Sequence, residues 1–491
     1  MKKIFLLLLV LANVVYSQDI VNQFDITLKS NRDVFQIVKD STKEVNLFIS
    51  DRKKVTSFLL DSKLEIKDSI SGTRPEKKHK DILGYSTSNN IYTIYWSTSN
   101  KNQLFYQTFD FINKKVIGNT IEYNSSGLNE KHLQYFTING KFYTLKLSID
   151  EHCLKLYEYL GSDIKEFRID TSEMKLYKSN NELSDIYFVL QKSLGEFEIN
   201  GGGIFEGQYS LTKIDFTTPT TLTEAAKKRK IYATNNELLI TLDFNDSKTQ
   251  IIKIDLSTKK ATLQEINKSI EVYEIGSDLK SNSFIIEDKI FQLIVTSKKL
   301  VLSQKDMTGN IIKEYVINEN DKFSIKNSPF IRENLMGSER ELETTAQFIR
   351  KIVRSNVGIA AYNLNGNYLV TIGSVSAEKS GGYGPQMGGF GILNGNSPLG
   401  SGFYVQPVNF TMNSFNNYKS RRSISTNCLF NNELIHLSDK IKDIAFDKIK
   451  NYEEKYSLYI ESPTLFKLEN EFIYGFYNAS THKYSFYKFA N

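Results

Sequence analysis

Stretches in which apolar and polar residues alternate recur along most of the chain. Six of them follow a pair of turn-forming residues, and the pairs are Asn89-Asn90, Asn139-Gly140, Asn235-Asn236, Glu287-Asp288, Asn365-Gly366 and Glu469-Asn470. Alternation with a period of two predicts β-strands, and Asn and Gly readily adopt the positive φ angles of tight hairpins. The pattern therefore predicts a succession of β-hairpins.

The predicted strands group into units of four. The clearest unit runs from Leu133 to Asp170, and a similar one precedes it from Ile82 to Asn124. Successive turn pairs lie about fifty residues apart, or about twice that distance, which is the spacing of repeat architectures. Four strands per unit at this period predict a β-propeller. We expect about eight blades, with seven as the alternative, because residues 174 to 215 carry only the weak turn pair Asn180-Asn181.

The two ends of the chain indicate how the sheets are completed. The last unit offers three strands after residue 463, whereas the segment Phe24–Ser30 is a surplus strand before the first unit. We expect this N-terminal strand to join the last sheet and so protect an edge that would otherwise attract other strands. The chain thus resembles an exported bacterial β-propeller in architecture. It lacks the WD40, kelch and Asp-box signatures, so the resemblance names no family.

Two segments interrupt the strand pattern with helical signals. Ser338 and Glu341 have the spacing of a capping box, and apolar residues then recur on one face as far as Val353. This predicts a helical insertion over about 332–355. A second apolar stripe predicts a helix over about 438–454. All remaining parts of residues 18–491 are expected to form one propeller domain.

The N-terminus has the layout of a secretory signal peptide. Basic residues at Lys2 and Lys3 precede an apolar run from Ile4 to Val15, and the small residue Ser17 follows. We expect residues 1–17 to be removed. No cysteine follows the run to accept a lipid, and no later stretch has the length and apolarity of a transmembrane helix. The chain is expected in the periplasm or at the cell surface, without a lipid anchor.

Charge indicates no nucleic-acid partner. The formal net charge of +6 falls to +4 once the two leader lysines are removed, which is too small a balance for a nucleic-acid-binding protein. The basic runs 77–80 and 227–230 lie beside turn-like sequence. We expect both runs to be solvated loop charges.

The sequence contains no catalytic or metal-binding motif that we can identify. Five histidines are scattered, and none has the spacing of a zinc site. His152 and Cys153 are adjacent, but neighbours in a strand point to opposite faces, so we expect no nucleophile–base pair there. No cofactor is predicted. A pair of carboxylates from different blades would leave no local signal, and a disulfide between Cys153 and Cys428 remains open.

The best candidate for a binding site is a glycine-rich loop over 380–402. Such dense glycine is incompatible with the interior of a sheet, and long loops on a rigid scaffold often carry binding residues. The apolar and polar side chains set among these glycines are Tyr383, Gln386, Met387, Phe390 and Tyr404. A smaller cluster, Gly201–Gly203 with Ile204 and Phe205, is expected to share a face with them.

These features favour a non-enzymatic binding or scaffold protein of the bacterial cell envelope, which presents propeller-face loops to a protein or glycan partner. Two alternatives stay open. One is a secreted carbohydrate-active enzyme of propeller fold. The other is a peripheral subunit of an outer-membrane protein complex, in which the partner is an integral membrane protein.

Overall fold

The computed structural model describes residues 20–29, 33–98, 103–121, 129–178, 181–190, 211–234, 236–269, 278–333, 339–375, 409–419 and 423–491. Within these ranges the chain is all-β, with 32 strands numbered along the chain and a few short helices. It divides into two compact units. The terminal unit comprises residues 1–74 and 443–491, and the central unit comprises residues 75–442.

The terminal unit contains two four-stranded antiparallel sheets. One is formed by β2 (Asp33–Lys39), β3 (Glu44–Ser50), β4 (Lys54–Leu60) and β5 (Ile66–Thr73). The other has the order β1-β32-β31-β30 and consists of β1 (Ile20–Asp25), β30 (Glu461–Leu468), β31 (Glu471–Asn478) and β32 (Lys483–Phe489).

Among its described residues, the central unit contains three four-stranded sheets, one two-stranded sheet and two five-stranded sheets. The first two sheets are β6 (His79–Ser88), β7 (Ile91–Thr98), β8 (Leu104–Asp110), β9 (Lys115–Ile121), then β10 (Glu130–Ile138), β11 (Lys141–Ser148), β12 (Cys153–Leu160), β13 (Asp163–Ile169). A two-stranded sheet follows, formed by β14 (Leu176–Tyr177) and β15 (Leu183–Ser184).

The remaining sheets of the central unit contain one parallel pairing. In the sheet of order β16-β17-β18-β19-β20, the short strand β16 lies parallel to β17. The strands of this sheet are β16 (Thr212–Ile214), β17 (Arg229–Ala233), β18 (Glu237–Leu242), β19 (Lys248–Asp255) and β20 (Ala261–Asn267). The next sheet is β21 (Lys280–Ile286), β22 (Lys289–Val295), β23 (Lys299–Asp306), β24 (Ile311–Asn318). The last has the order β26-β25-β29-β28-β27, with β25 (Phe330–Glu333), β26 (Glu339–Leu342), β27 (Asn356–Leu364), β28 (Asn367–Val375), β29 (Ser423–Phe430).

These sheets have the four-stranded antiparallel meander of propeller blades, as the sequence predicted. Asn89, Asn139, Glu287, Asn365 and Glu469 all have φ between 49° and 58°, and each lies in the hairpin between two adjacent strands of one sheet. In the described residues, seven sheets have four or five strands and one has two. Asn181 of the weak turn pair lies between β14 and β15. Counting this two-stranded sheet as a blade gives eight blades, and leaving it out gives seven.

The N-terminal strand joins the last sheet, as expected, but it lies earlier in the chain than predicted. β1 ends at Asp25 and pairs antiparallel with β32, with Phe24 opposite Tyr484. The ring of Phe24 packs 5.4 Å from that of Phe58 on β4 and 5.9 Å from that of Tyr484. Residues 26–29 form no strand. The alternation that predicted a strand there reflects the packing of Ile26 and Leu28 against the hydrophobic core of the terminal unit.

The first predicted helical insertion contains a helix that is shorter than predicted and that follows two short strands. Residues 330–333 and 339–342 form β25 and β26, and the helix α3 covers only Thr345–Ile352. Thr344, not Ser338, is its N-cap, because the Thr344 side chain accepts a hydrogen bond from the backbone N–H of Gln347. The capping-box spacing was misleading, because the polar residues before Leu342 belong to β26, an exposed strand at the edge of its sheet. The other helices of the central unit are α1 (Ile186–Leu190), α2 (Leu222–Ala225) and α4 (Phe410–Lys419).

The helix predicted over 438–454 begins later. In the terminal unit, α5 spans Ala445–Tyr456 and is followed by a 3₁₀ turn at Ser457–Tyr459. Phe446 and Ile449 are buried, and Tyr452 lies among the rings of Tyr487 and Phe489. Residues 438–444 precede the helix without regular structure.

Cys153 and Cys428 are both buried free thiols. Burial raises the pKa of each thiol. Neither is therefore part of a disulfide, and their role in the described structure is to fill space in the core of the central unit.

Candidate functional site

The five side chains proposed as binding residues lie outside the described residues. Tyr383, Gln386, Met387, Phe390 and Tyr404 all belong to 376–408, between the end of β28 and the start of α4. The smaller cluster Gly201–Gly203 with Ile204 and Phe205 lies outside them as well. The prediction of a binding site at these residues stays a prediction.

Among the described residues, side chains from 185–188 contact the hairpin between β11 and β12 and form a partly exposed aromatic surface. His152 occupies a hairpin turn with φ 47°, and its Nδ1 lies 2.7 Å from Oδ2 of Asp185. The other carboxylate oxygen of Asp185 accepts the backbone N–H of Phe188 at 3.0 Å. Asp185 thus orients both the histidine and the start of α1.

Three rings and one ammonium make up this surface, which we call the aromatic patch: His152, Tyr187, Phe188 and Lys178. The ring of His152 stacks on that of Tyr187 at 5.1 Å between centroids and 14° between planes. Phe188 stands edge-on to Tyr187 at 5.0 Å, and Nζ of Lys178 lies 5.5 Å from the centre of the Phe188 ring. The sequence of α1 divides its residues between core and surface, because Ile186, Val189 and Leu190 are buried while Phe188 is 49% exposed.

The aromatic patch combines apolar and polar groups. A half-exposed phenyl ring can bury apolar area against a partner, while the Asp185 carboxylate and the Lys178 ammonium supply an acceptor and donors. His152 does not pair with the neighbouring thiol. The Sγ of Cys153 instead lies 3.7 Å from Oε2 of Glu151, as expected for neighbours on opposite sides of a strand.

The other histidines are held in separate places. His436 Nε2 lies 3.0 Å from Oδ1 of Asn327, and His482 Nδ1 lies 3.1 Å from the Tyr477 hydroxyl. His132 stacks on Tyr135 at 3.8 Å, and His79 is buried. In the part of the chain that the structure describes, no three His, Cys, Asp or Glu side chains are arranged to hold a metal ion.

A second notable contact involves two residues that follow the glycine-containing segments 201–203 and 380–402. Nζ of Lys213, on β16, lies 4.7 Å from the centre of the Phe410 ring, at the start of α4. Nearby, Nδ2 of Asn417 donates to Oε1 of Glu224 at 2.9 Å and so connects α4 to α2. Lys213 and Phe410 therefore lie together, although 196 residues that are not all described separate them along the chain.

The basic run 227–230 was predicted to be solvated, and this was wrong. Arg229 and Lys230 lie on β17 and are buried, and Nζ of Lys230 lies 3.2 Å from Oδ2 of Asp243. Lys268 lies on the other side of the same carboxylate, and both lysines and the aspartate have fully buried side chains. Both faces of β17 are buried from Arg229 to Tyr232, so Lys230 lies inside, where neutral oxygens of Lys227 and Asn282 also accept from its ammonium.

Mutual attraction decides the charge state of this buried cluster. Burial by itself would raise the pKa of Asp243, but Lys230, Lys268 and Lys228 outweigh it and hold the pKa well below the ordinary value. Burial lowers the pKa of Lys268 to about 7, although Asp243 acts in the opposite direction. The cluster joins β17 and the end of β18 to β21 and is inaccessible to a ligand, so we assign it to stability.

Sequence reasoning missed the aromatic patch because its residues come from two separate segments. His152 lies in a regular hairpin, and Asp185 and Phe188 lie in the poorly marked stretch before residue 215. The enlarged interval between two turn pairs was the signal that an insertion exists. Nothing in the local sequence indicated which hairpin the insertion would contact.

No helix in the described ranges has the length and apolar character required to span a bilayer. No known family profile matches the chain, and no curated protein is similar to it.

Several solved structures share weak similarity with the chain. A chimera of ACO and RPE65 aligns at 9% identity, with a TM-score of 0.27, over 60% of this chain and 62% of the chimera. The cobalt-substituted ACO of Synechocystis aligns over the same fractions at 8% identity, also with a TM-score of 0.27. The chain thus covers about three fifths of these proteins. Similarity of this extent assigns neither a family nor an activity.

Proposed function

We propose that the chain is an exported, non-enzymatic binding protein of the bacterial cell envelope, which holds a protein or glycan partner on loops of its propeller-type scaffold. The observation that carries the proposal is the aromatic patch, in which Phe188 is half exposed beside a fixed His152–Asp185 pair. The signal peptide predicted for residues 1–17 supports the location.

The aromatic patch has the physical properties of an interface anchor. Aromatic side chains are enriched at the centres of interfaces, where they bury a large area with few rotatable bonds. The His152 and Tyr187 rings restrict each other by stacking. The backbone N–H of Phe188 donates to the Asp185 carboxylate and so restricts the Asp185 side chain before any partner binds. Restricted side chains lose less conformational entropy on binding.

The test is affinity recovery from solubilised envelope fractions with the tagged mature chain and with Phe188→Ser. We expect the variant to recover its partner at least about tenfold less well, because central aromatic anchors contribute about 2 kcal/mol or more. Leu458→Ser is the matched control, since Leu458 is also an exposed apolar residue but lies in the terminal unit. Equal recovery by Phe188→Ser and the parent chain would reject the patch as the binding surface.

Deleting residues 381–400 tests the loop independently. The deletion removes no described strand, so the melting temperature should not change while partner recovery falls. Competition by purified envelope glycans, with no protein partner recovered, would identify the ligand as a glycan. Release of hydrolysed sugars from those glycans would contradict the non-enzymatic proposal.

A further inference from the structure

His79 is a buried histidine in a basic run whose lysines are exposed. It is the first residue of β6, and 2% of its surface is accessible to solvent, whereas Lys78 and Lys80 on either side are exposed. In the part of the chain that the structure describes, neither Nδ1 nor Nε2 of the His79 ring has a hydrogen-bond partner. Buried polar atoms normally have one. His436 and His482 differ, because an oxygen lies within 3.1 Å of one ring nitrogen in each.

The neighbouring strands bring an aromatic ring and no counter-charge to the imidazole. The centroid of the Phe105 ring, on β8, lies 5.4 Å from that of the His79 ring. β7 contains no charged residue, and Asp110, the charged residue of β8, lies at the far end of its strand. Burial lowers the pKa of His79, Lys78 lowers it further, and Glu76 acts in the opposite direction. Lys78 and Glu76 are both exposed and pair with each other at 3.4 Å.

The start of β6 is held less regularly than the rest of the strand. Its register with β7 shifts between His79 and Asp81, as at a β-bulge. Further along, residues 85–88 pair regularly with β7, and the carbonyl of Tyr85 accepts a hydrogen bond from the Thr137 hydroxyl at 3.0 Å. Residues 79–81, which we call the β6 latch, can therefore separate from β7 while the remainder of the strand stays paired.

We propose that the β6 latch opens in acid, because His79 leaves its buried position when its imidazole takes up a proton from water. The neutral imidazole stays beside Phe105. The imidazolium is charged, and burying a charge without a partner is unfavourable, whereas water hydrates both of its N–H groups once the ring is exposed. This conformational device does not depend on the proposed binding function.

The closed and the open latch differ in how strongly they bind this proton. In the closed latch the pKa of His79 lies below the ordinary value of 6.5, and in the open latch the hydrated ring has the ordinary value. The closed form therefore keeps its full stability above pH 6.5 and loses stability, relative to the open form, as the pH falls below 6.5. A pKa lowered by about one unit changes the ratio of the two forms about tenfold.

Amide hydrogen exchange of the complete mature chain, at about pH 7.5 and about pH 5, tests the latch. After correction for the intrinsic pH dependence of exchange, peptides that cover the latch should lose protection about tenfold in acid. His79→Phe should remove this acid response, because a phenyl ring fills a similar space and cannot be protonated. His482→Gln is the matched control, since it removes a histidine of the terminal unit and should retain the response.

A second measurement uses the unmodified chain, so it decides the question even if His79→Phe does not fold. Deuterium exchange at the ring Cε1–H, followed by peptide mass spectrometry across a range of pH, reports the pKa and the accessibility of each histidine. We expect His79 to titrate below 6.5 and to exchange more slowly than His152, whose side chain is 44% exposed. Titration of His79 at its ordinary value, equal protection of the latch at both pH values, or an unchanged acid response in His79→Phe would overturn the proposal.

Discussion

Asp243 and Lys268 lie with Oδ1 and Nζ 3.8 Å apart, and both side chains are completely buried. Lys230 contacts the other carboxylate oxygen at 3.2 Å. One carboxylate thus faces two buried ammonium groups. Hydroxyls from Thr249 and Ser283 donate to the same carboxylate, at 2.9 and 2.7 Å.

Replacing Asp243 with Asn should destabilise the chain strongly. The change removes the charge of the carboxylate that faces two buried lysines, and breaking a buried ion pair from one side costs about 3–5 kcal/mol. Urea unfolding followed by far-UV circular dichroism measures the loss. Asp246→Asn is the control, because Asp246 is nearby in the chain and its side chain is not buried. A loss of the same size in the control would contradict the special role of Asp243.

The buried Lys268 should make stability depend on pH in the alkaline range. Its pKa is about 7 in the folded chain and 10.5 as the ordinary value, so the folded chain binds this proton more weakly than the unfolded chain does. The resulting cost is fully present below pH 7 and disappears as the pH rises towards 10.5. Relative to Lys268→Met, which cannot titrate, the parent chain should therefore gain stability between pH 7 and 10. A constant difference across that range would disprove the shift.

Removing the first strand should expose the edge of β32. A chain that begins at residue 31 lacks Phe24 and the hydrogen bond from Nδ2 of Asn22 to the Leu64 carbonyl, which is 2.6 Å long. We expect a lower melting temperature and aggregation, because an unpaired edge strand is a template for other strands. Light scattering detects the aggregation. Ile20→Ala, at a half-exposed position of the same strand, should change stability by less than about 0.5 kcal/mol.

The start of α3 can be tested by two alanine substitutions. Thr344→Ala removes the acceptor of the Gln347 N–H, which lies 3.2 Å from Oγ1, and should lower the free energy of unfolding by about 1 kcal/mol. Ser338→Ala should have no comparable effect, because the helix begins seven residues later. Thermal melting of the two variants distinguishes them. The opposite ranking would restore the capping box that the sequence suggested.

The fold was predictable where local rules agree with tertiary structure. Turn pairs such as Asn139-Gly140 have backbone requirements that few residue types meet, so they marked the blade hairpins accurately. The local rule failed for the capping box, because its Glu341 lies in the strand β26 and not in a helix. The strand β26 has only four residues, and the apolar and polar pattern of so short a segment does not distinguish a strand from a helix.

The candidate site was less predictable for a different reason. His152 and Asp185 meet only after the insertion folds back onto the blade, and sequence spacing does not encode such a contact. Lys230 was predicted to be solvent-exposed for a similar reason. Its charge favours exposure, but its partner Asp243 directly follows the end of β18 and is thirteen residues away in the sequence. Single-residue character is a poor guide wherever two charges are buried together.

The pairing of β1 with β32 also has a kinetic consequence. Phe24 is among the first described residues to be synthesised and Tyr484 is among the last, so the sheet that contains them stays incomplete until nearly the whole chain is available. Contacts of such high sequence separation form slowly. During synthesis, the strand 20–25 therefore remains without its partner until β32 has been made, and the terminal unit is the part most exposed to misassembly with another copy of itself.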